Sequence, residues 1–592
     1  MGVASAGIAC LVASVSARKL GDFDLPLHLA VAKRIWQTGH LVAGDDLSYL
    51  HGTVRYVEIV SISLFYAALR CAGPLGLQIV GGLVAGVVAI ALWLRMRRFG
   101  SIAYVTTALA LAAMSSFFVV RTAEVSFAML AAVLLALDAH RRDPATPRGR
   151  RALGAFVLLL LLWANVHGSV PLGLLVGGLY LAHRLASRLA YGRLGALLPQ
   201  RDGTDLMGTA AALALGGGAA CVNPGGPAVL LGPFRFGGTV AGLAGYTEWA
   251  RPTLAFFRDS EPLAALVLVL ATLAGLLGRD AETRARLPAL YDIVLVALAF
   301  GCAATAIRLV PHAVILVAPW VAARVSSHVT SAGLVRIACA TSLLLPPVCV
   351  LGSPGLPPPV PLPLGVGFDV NHLPEGAARW AEVHRPEGHL WNPASFGGYL
   401  AFRLYPATRI LMDGRQGLTY DRSDVDDVRA SEHDPPAFSA LAARLDLQWA
   451  VTRAFPGTAD GAPIAASADW VMVFLDDVAA VYVRRGGVDD RLAAGGYRLL
   501  RHLTAPGAAL SLALQGGPHG QDLAHDAALA QEQAPASPRA AFLVACGALA
   551  VRDQARFEAA TARLTALATN TETVAVLQDA WRRTRRTMGE AR

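Results

Sequence analysis

Apolar residues recur in long blocks over the first 352 positions, separated by short polar stretches rich in arginine. A bilayer-crossing helix needs roughly 20 apolar residues, fewer where a bundle shelters its ends. By that measure about eleven spans are expected: 3–17, 75–94, 102–119, 123–138, 152–166, 170–187, 208–222, 262–277, 289–306, 311–325 and 332–352. The block 57–72 is also apolar but carries Glu58 and Arg70. It is expected to be a helix lying in or dipping into the membrane interface, the alternative being a further span. No basic region precedes 3–17, so this block reads as a span rather than a cleavable leader.

The pattern changes after Pro358-Pro359. Residues 353–365 form a Pro-rich linker, and 366–490 mix Pro/Gly turns with short β-like runs at 409–412, 448–452 and 470–483. The last of these is expected to fold back on itself at Asp476-Asp477. Helical spacing at 375–384 and 436–444 makes this an α/β domain. Residues 491–592 are a linker followed by a tail. Within them 512–536 is expected to be polar and mobile, and 536–586 an Ala-rich helical hairpin.

Composition agrees with the blocks. The 592 residues are 55% hydrophobic and 16% charged, where an ordinary soluble domain carries about a quarter charged residues. The net charge of +9 does not form a nucleic-acid stripe, because its arginines lie in short loops between spans. Arg95, Arg97 and Arg98 fall on one side, as do Arg141, Arg142, Arg184, Arg188, Arg279 and Arg284. The positive-inside rule makes that side cytoplasmic. Residues 20–74 and the whole of 366–592 are then extracytoplasmic, in a multi-pass protein of the inner membrane. Arg18 and Lys19 run against this bias. The seven cysteines form no disulfide framework and no metal-spaced set.

The outer loop after the first block is the densest in chemistry. It contains Asp22-Phe23-Asp24 and His28, then Gly39, then Asp45-Asp46 with Ser48-Tyr49. Carboxylates at a membrane boundary are costly to desolvate and are usually kept for chemistry or ion binding. An Asp-x-Asp-x-x-x-His at the end of a first span resembles the first outer loop of the GT-C glycosyltransferases. That likeness covers residues 1–350 as architecture and 21–60 as sequence. Phe23-Asp24 with His28 and Gly39 most resembles the oligosaccharyltransferase catalytic subunits. The number of spans is similar to that of the protein O-mannosyltransferases, and aminoarabinose transferases share the same scheme.

The resemblance implies a polytopic helical module of about 11 transmembrane helices with a C-terminal extracytoplasmic α/β domain. It implies sugar transfer from a polyprenyl-phosphate carrier in the membrane to an acceptor protein, lipid or glycan. Such transfer needs a base for the acceptor proton and cations for the phosphate leaving group. Asp24 is the first choice as base. Asp22 is the second, and otherwise holds a divalent metal or caps a helix. His28, Asp45 and Asp46 are further candidates to line the cavity.

Other polar residues lie at the same side. Asn165 and His167 close the span at 152–166, either as a cap or as part of the cavity mouth, where His167 is also a candidate to bind the donor phosphate. Glu248 precedes Trp249, whose simplest role is an interface anchor. Arg308 and His312 flank Pro311, and an arginine on the outer side points to a phosphate partner. Arg121 is the next candidate for that phosphate, with Glu124 as an internal ion-pair partner. In the soluble domain, Trp391–Leu400 loosely resembles the acceptor-recognition region of oligosaccharyltransferases but lacks the acidic residue expected before Gly-Tyr. A strand followed by a tight turn at Gly397-Gly398 explains it equally well. Asp413 and Arg415 are the candidates there for contacting sugar or phosphate. A transporter, a lipid-handling protein or an inactive relative acting in envelope assembly is the competing class. Transporters usually carry inverted repeats, and none is visible.

Overall fold

The computed structural model describes residues 2–41, 46–50, 56–189, 205–232, 247–260, 262–277, 290–328, 364–415, 419–454, 461–567 and 571–590. Two compact units divide the chain. The first comprises residues 1–42 and 55–368, the second 43–54 and 369–592.

The first unit is helical. Its helices are α1 Gly2–Ser16, α2 Asp24–Thr38, α3 Ile59–Met96, α4 Ser101–Ala113, α5 Thr122–Arg142 and α6 Pro147–Val166. They are followed by α7 Val170–Leu189, α8 Leu206–Ala220, α9 Pro262–Leu277, α10 Leu290–Thr305 and α11 Val310–His328. Every predicted apolar block within the described residues coincides with one of them, and 332–352 lies outside those residues. By length and composition, Ile59–Phe99, Thr122–Arg142, Pro147–Val166, Val170–Arg188 and Ile307–Ser326 can cross a membrane. Ser101–Ala113, Leu206–Ala220, Leu263–Leu273 and Leu290–Thr305 are apolar but shorter. The count of eleven therefore stays an expectation.

Local chemistry explains the boundaries. Thr146 caps α6 by accepting from the Gly149 amide at 3.1 Å, with Pro147 in the first turn, where its missing N–H costs nothing. Asp205 caps α8 through Gly208 at 3.0 Å. Helix α4 stops at Ala113, short of the predicted 119, and a 3-10 turn at Ser115–Phe117 carries the chain to Arg121. The 38 residues of α3 would make a straight rod of about 57 Å, nearly twice the roughly 30 Å hydrocarbon layer. It is broken at Ala72 and Gly73, where the backbone leaves helical angles just before Pro74. Residues 59–71 are thus a separate helical arm.

Packing separates the helices by role. Helix α5 buries Phe127, Leu130, Ala131, Leu134 and Leu137, one stripe at three- and four-residue spacing, against α3 and α6. Helix α11 is buried on every side from Ala313 to Ala318, as expected of a helix apolar all round. It packs on α4, α5, α9 and α10. The two ends of α5 differ in charge chemistry. At its C-terminal end, Asp138 bonds Arg95 at 2.8 Å and Arg141 holds Asp292 with two bonds of 2.7 and 3.1 Å. Its N-terminal end meets the acidic loop.

The second unit holds a four-stranded sheet in the order β1-β2-β4-β3, with β1 His389–Trp391, β2 Leu447–Arg453, β3 Trp470–Leu475 and β4 Ala479–Arg484. Strand β1 is parallel to β2, and the other pairs are antiparallel. The expected hairpin forms, with Asp476 Oδ1 accepting from the Val478 and Ala479 amides at 2.8 and 2.7 Å. Five expectations need correction. Residues 409–412 are no ladder strand, since Ile410 makes only an isolated bridge to Ser48. Gly397 and Gly398 lie inside a helix, Ala394–Leu404, not in a turn. A Cβ on Gly397 would stand 2.0 Å from the Met412 carbonyl oxygen, so close backbone approach requires this glycine. The stretch 512–536 contains the helix Pro518–Gln533, which buries Leu523, Ala527 and Ala530. The stretch 536–586 holds three helices among the described residues, Pro538–Val551, Gln554–Leu567 and Thr571–Glu590, rather than one hairpin, and the helix Pro506–Gln515 precedes Pro518–Gln533. Part of the loop assigned to the membrane module also belongs here. Ser48 donates to the Leu411 carbonyl at 2.7 Å, and Tyr49 to that of Leu390 at 2.8 Å.

Candidate active site

Asp22 opens the site by starting a helix. Its Oδ1 accepts from the Asp24 and Leu25 amides at 2.9 and 3.2 Å, which satisfies the first free N–H groups of α2. The cap turns Asp24 outward, and its side chain is half exposed. Facing them is Arg121, in extended backbone just before α5. Its Nη1 lies 2.5 Å from Glu248, 3.6 Å from Asp22 and 3.9 Å from Asp24. Three carboxylates from two distant loops thus converge on one guanidinium.

Arg308 stands beside this group, stacked over the Trp249 ring at 4.5 Å. The stacking is a cation–π contact, and the Ile307 amide donates to the Ala250 carbonyl at 3.0 Å to hold the two segments together. Among the described residues no ion pair or hydrogen bond engages the Arg308 side chain. On the other flank is Glu58, just before α3. It accepts from the Thr122 hydroxyl at 3.0 Å and lies 3.8 Å from both His28 and His167. His167 is fixed by Ser169, 2.7 Å from its Nδ1.

The electrostatics follow from burial and these neighbours. Burial pushes the Asp22 carboxyl up to about 7, against the pull of Arg121 and with help from Asp24 and Glu248. Burial also lifts Glu58, despite His28, the Thr122 bond and Arg308. Burial would lift Glu248 too, but Arg121 and Arg308 outweigh it and hold that carboxyl below its usual range. His167 is held well below the ordinary imidazole range by burial and then by Arg308 and His312. Arg121 is raised in spite of its burial by Asp22 and Glu248. The site thus holds carboxyls pushed in opposite directions side by side, Asp22 and Glu58 up and Glu248 down, the kind of arrangement that divides acid and base roles.

The structure brings together Asp22, Asp24, His28, Arg121, His167, Glu248 and Arg308. His312 is one turn into α11, 3.3 Å from the Ser126 hydroxyl and edge-on to Phe127, in the helical core. Asn165 donates to the Leu161 and Val222 carbonyls at 2.9 and 2.8 Å, tying the end of α6 to the segment after α8. Asp45 lies outside the described residues. Asp46 accepts from Tyr405 at 2.9 Å within the second unit. Asp413 and Arg415 are buried there and bond each other through Nε at 2.8 and 3.0 Å, so the pair faces inward. Glu124 is not the ion-pair partner of Arg121, whose carboxylates are Glu248, Asp22 and Asp24. Sequence reasoning passed over Glu58 and Thr122. The available signal was a carboxylate at the edge of an otherwise apolar block. Among the described residues no three His, Cys, Asp or Glu side chains are placed to hold a metal ion. The donor set offers a reason, since Asp22 is spent on two amides and a guanidinium stands where a cation would go.

No protein-family model matches the chain, and no curated protein sequence does. Solved structures do. The archaeal oligosaccharyltransferase AglB from Archaeoglobus fulgidus, in complex with an inhibitory peptide and a dolichol-phosphate, superposes with a TM-score of 0.50. It shares 11% identity over 76% of this chain and 69% of its own. ArnT from Cupriavidus metallidurans, bound to undecaprenyl phosphate, is also similar, with a TM-score of 0.48 and 14% identity over 81% and 97% of the two chains. On the first of these likenesses, the chain shares its fold with that oligosaccharyltransferase.

Proposed function

We propose that this protein is a membrane glycosyltransferase that moves a sugar from a polyprenyl-phosphate carrier to an acceptor at the outer face of the inner membrane. The observation that carries this reading is Arg308, stacked on Trp249 and, among the described residues, in no ion pair or hydrogen bond through its side chain. It stands beside an exposed aspartate and a second, buried arginine. A cation left free at the boundary of a helical bundle suits a phosphate that arrives with its ligand.

In this mechanism Asp24 takes the proton from the acceptor's hydroxyl or amide as the new glycosidic bond forms. The sugar–phosphate bond breaks, and its electron pair leaves with the phosphate, where Arg308 and Arg121 stabilise the developing charge. Asp22 holds the start of α2, so that Asp24 projects to the solvent side. The dolichol-phosphate in the oligosaccharyltransferase complex supports a lipid phosphate as the leaving group. The extracytoplasmic placement of the site rests on the arginines that gather at the opposite end of α5.

The test is transfer from radiolabelled polyprenyl-phosphate sugars to membrane acceptors by purified protein in lipid. Product formation that Asp24→Asn abolishes supports the reading. Bound lipid phosphate with no transfer from any sugar tested points instead to lipid handling.

A further inference from the structure

Behind Asp22, on the side away from Asp24, is a cavity that the mechanism does not use. Its volume is about 20 Å³, enough for one water molecule. Arg18, Lys19, Asp22, Gln78, Gly81 and Glu124 are among its walls. Glu124 and Gln78 are each 2% exposed, and Oε1 of each lacks a hydrogen-bond partner. Gly81 lines the same space, where a Cβ would stand 2.9 Å from Val120 Cγ2 and 3.7 Å from Glu124 Oε1. Two buried acceptors at the wall of a water-sized cavity whose other surfaces include the apolar Leu25, Phe118 and Val120 call for a donor between them, because leaving such groups unmade costs about 1–3 kcal/mol each.

The charge of the site supplies a reason for such a donor. One guanidinium, Arg121, is already met by Asp22, Asp24 and Glu248 within 3.9 Å. A phosphate arriving at Arg308 would add negative charge to a cluster whose carboxylates outnumber its nearby cations. Like charges at these distances repel strongly in a partly buried setting.

We propose that Asp22 and Glu124 share a proton through one water in this cavity, and that phosphate binding draws that proton in from solvent. This rests on the phosphate reading above. The proton comes from bulk water and resides on the carboxyl pair. Gln78 Oε1 receives one hydrogen of the bridging water. The elevated Asp22 carboxyl, at about 7, is consistent with a site poised to take up this proton near neutrality. Glu124 acts here as a positioning residue, since it sets the charge that the phosphate meets without touching it.

The experiment is calorimetric titration of undecaprenyl phosphate into the full protein in nanodiscs near pH 7. Two phosphate-free buffers of different ionisation heat report the protons taken up. Wild type is expected to take up a fraction of a proton, up to about one, more than Glu124→Gln, a difference that cancels the titration of the lipid phosphate itself. Equal uptake in the two proteins overturns the proposal, as does binding abolished by a chelator. Infrared spectra recorded without ligand as pH is lowered through 7 provide a second readout, in which wild type gains a protonated-carboxyl band that Glu124→Gln and Asp22→Asn each shift or remove. A spectrum unchanged in both variants overturns the shared proton. If the lipid does not bind wild type, the phosphate reading and the coupling fall together, and the spectrum still decides the proton. Should Glu124→Gln fail to fold, Asp22→Asn, which keeps the cap, takes its place in the titration.

Discussion

Nη1 of Arg121 lies 2.5 Å from Oε1 of Glu248, and the two residues are 127 positions apart in the chain. The contact joins the start of α5 to the loop before Trp249, so the cation that faces the aspartates is held from two sides. Removing it would leave three carboxylates facing one another. Arg121→Ala is therefore expected to lower transfer by about 10²–10³-fold, with Lys recovering only part because the planar fork is lost. Steady-state turnover of a polyprenyl-phosphate sugar measures both, and wild-type rates in the Ala variant would remove Arg121 from the site.

Asp24 and Asp22 should separate cleanly. Asp24→Asn keeps the shape of the side chain but cannot accept a proton, so transfer should fall by about 10²–10⁴-fold with the fold intact. Asp22→Asn retains the cap, since Asn caps as well as Asp, and its effect should be smaller. If the two variants lose activity equally, Asp22 shares the chemistry and the division of roles argued here is wrong.

Arg308→Ala should raise the Michaelis constant for the sugar carrier more than that for the acceptor, because only the carrier brings the phosphate. Trp249→Leu should mimic it in weaker form, since the ring holds the guanidinium by a contact worth about 0.5–2 kcal/mol. Separate titrations of carrier and acceptor distinguish the two constants. Equal changes in both would place Arg308 outside the phosphate site.

The pH dependence of stability has a definite sign. The folded protein favours the protonated form of Asp22, whose carboxyl is raised to about 7 by burial. Its contribution is complete below about pH 4, the unfolded value, and is lost as pH rises through 7. Melting temperature should therefore fall between about pH 4 and 7 and level off above that, and Asp22→Asn should flatten that slope. A slope unchanged in the variant assigns it to other groups.

Gly397→Ala should destabilise the second unit by about 1–3 kcal/mol or more, because the added methyl meets the Met412 carbonyl at 2.0 Å. Gly398→Ala, one position along the same helix, serves as the comparison. Thermal melting of the two variants side by side checks the difference.

The sequence by itself determined the membrane class, the positions of the apolar helices and the polarity of the loops. These follow from local composition, because burial in lipid demands long apolar runs and short loops carry the charge bias. It also marked Asp22, Asp24, Arg121 and Arg308 as chemically unusual for where they lie. The hairpin at Asp476 was legible for the same local reason, since an aspartate can close a turn on its own neighbours.

Only the tertiary structure decided which of the marked residues meet. Glu248 joins Arg121 across 127 positions, while Asp46 and the Asp413–Arg415 pair fall in the other unit. Periodicity states which face of a helix is apolar but not which distant loop will pack beside it. Glu58 looked like a stray charge in an apolar block until the end of α6 brought His167 to it. Gly397-Gly398 read as a turn because the pair is ambiguous locally, and the demand for a bare backbone came from Met412, a contact no local pattern encodes.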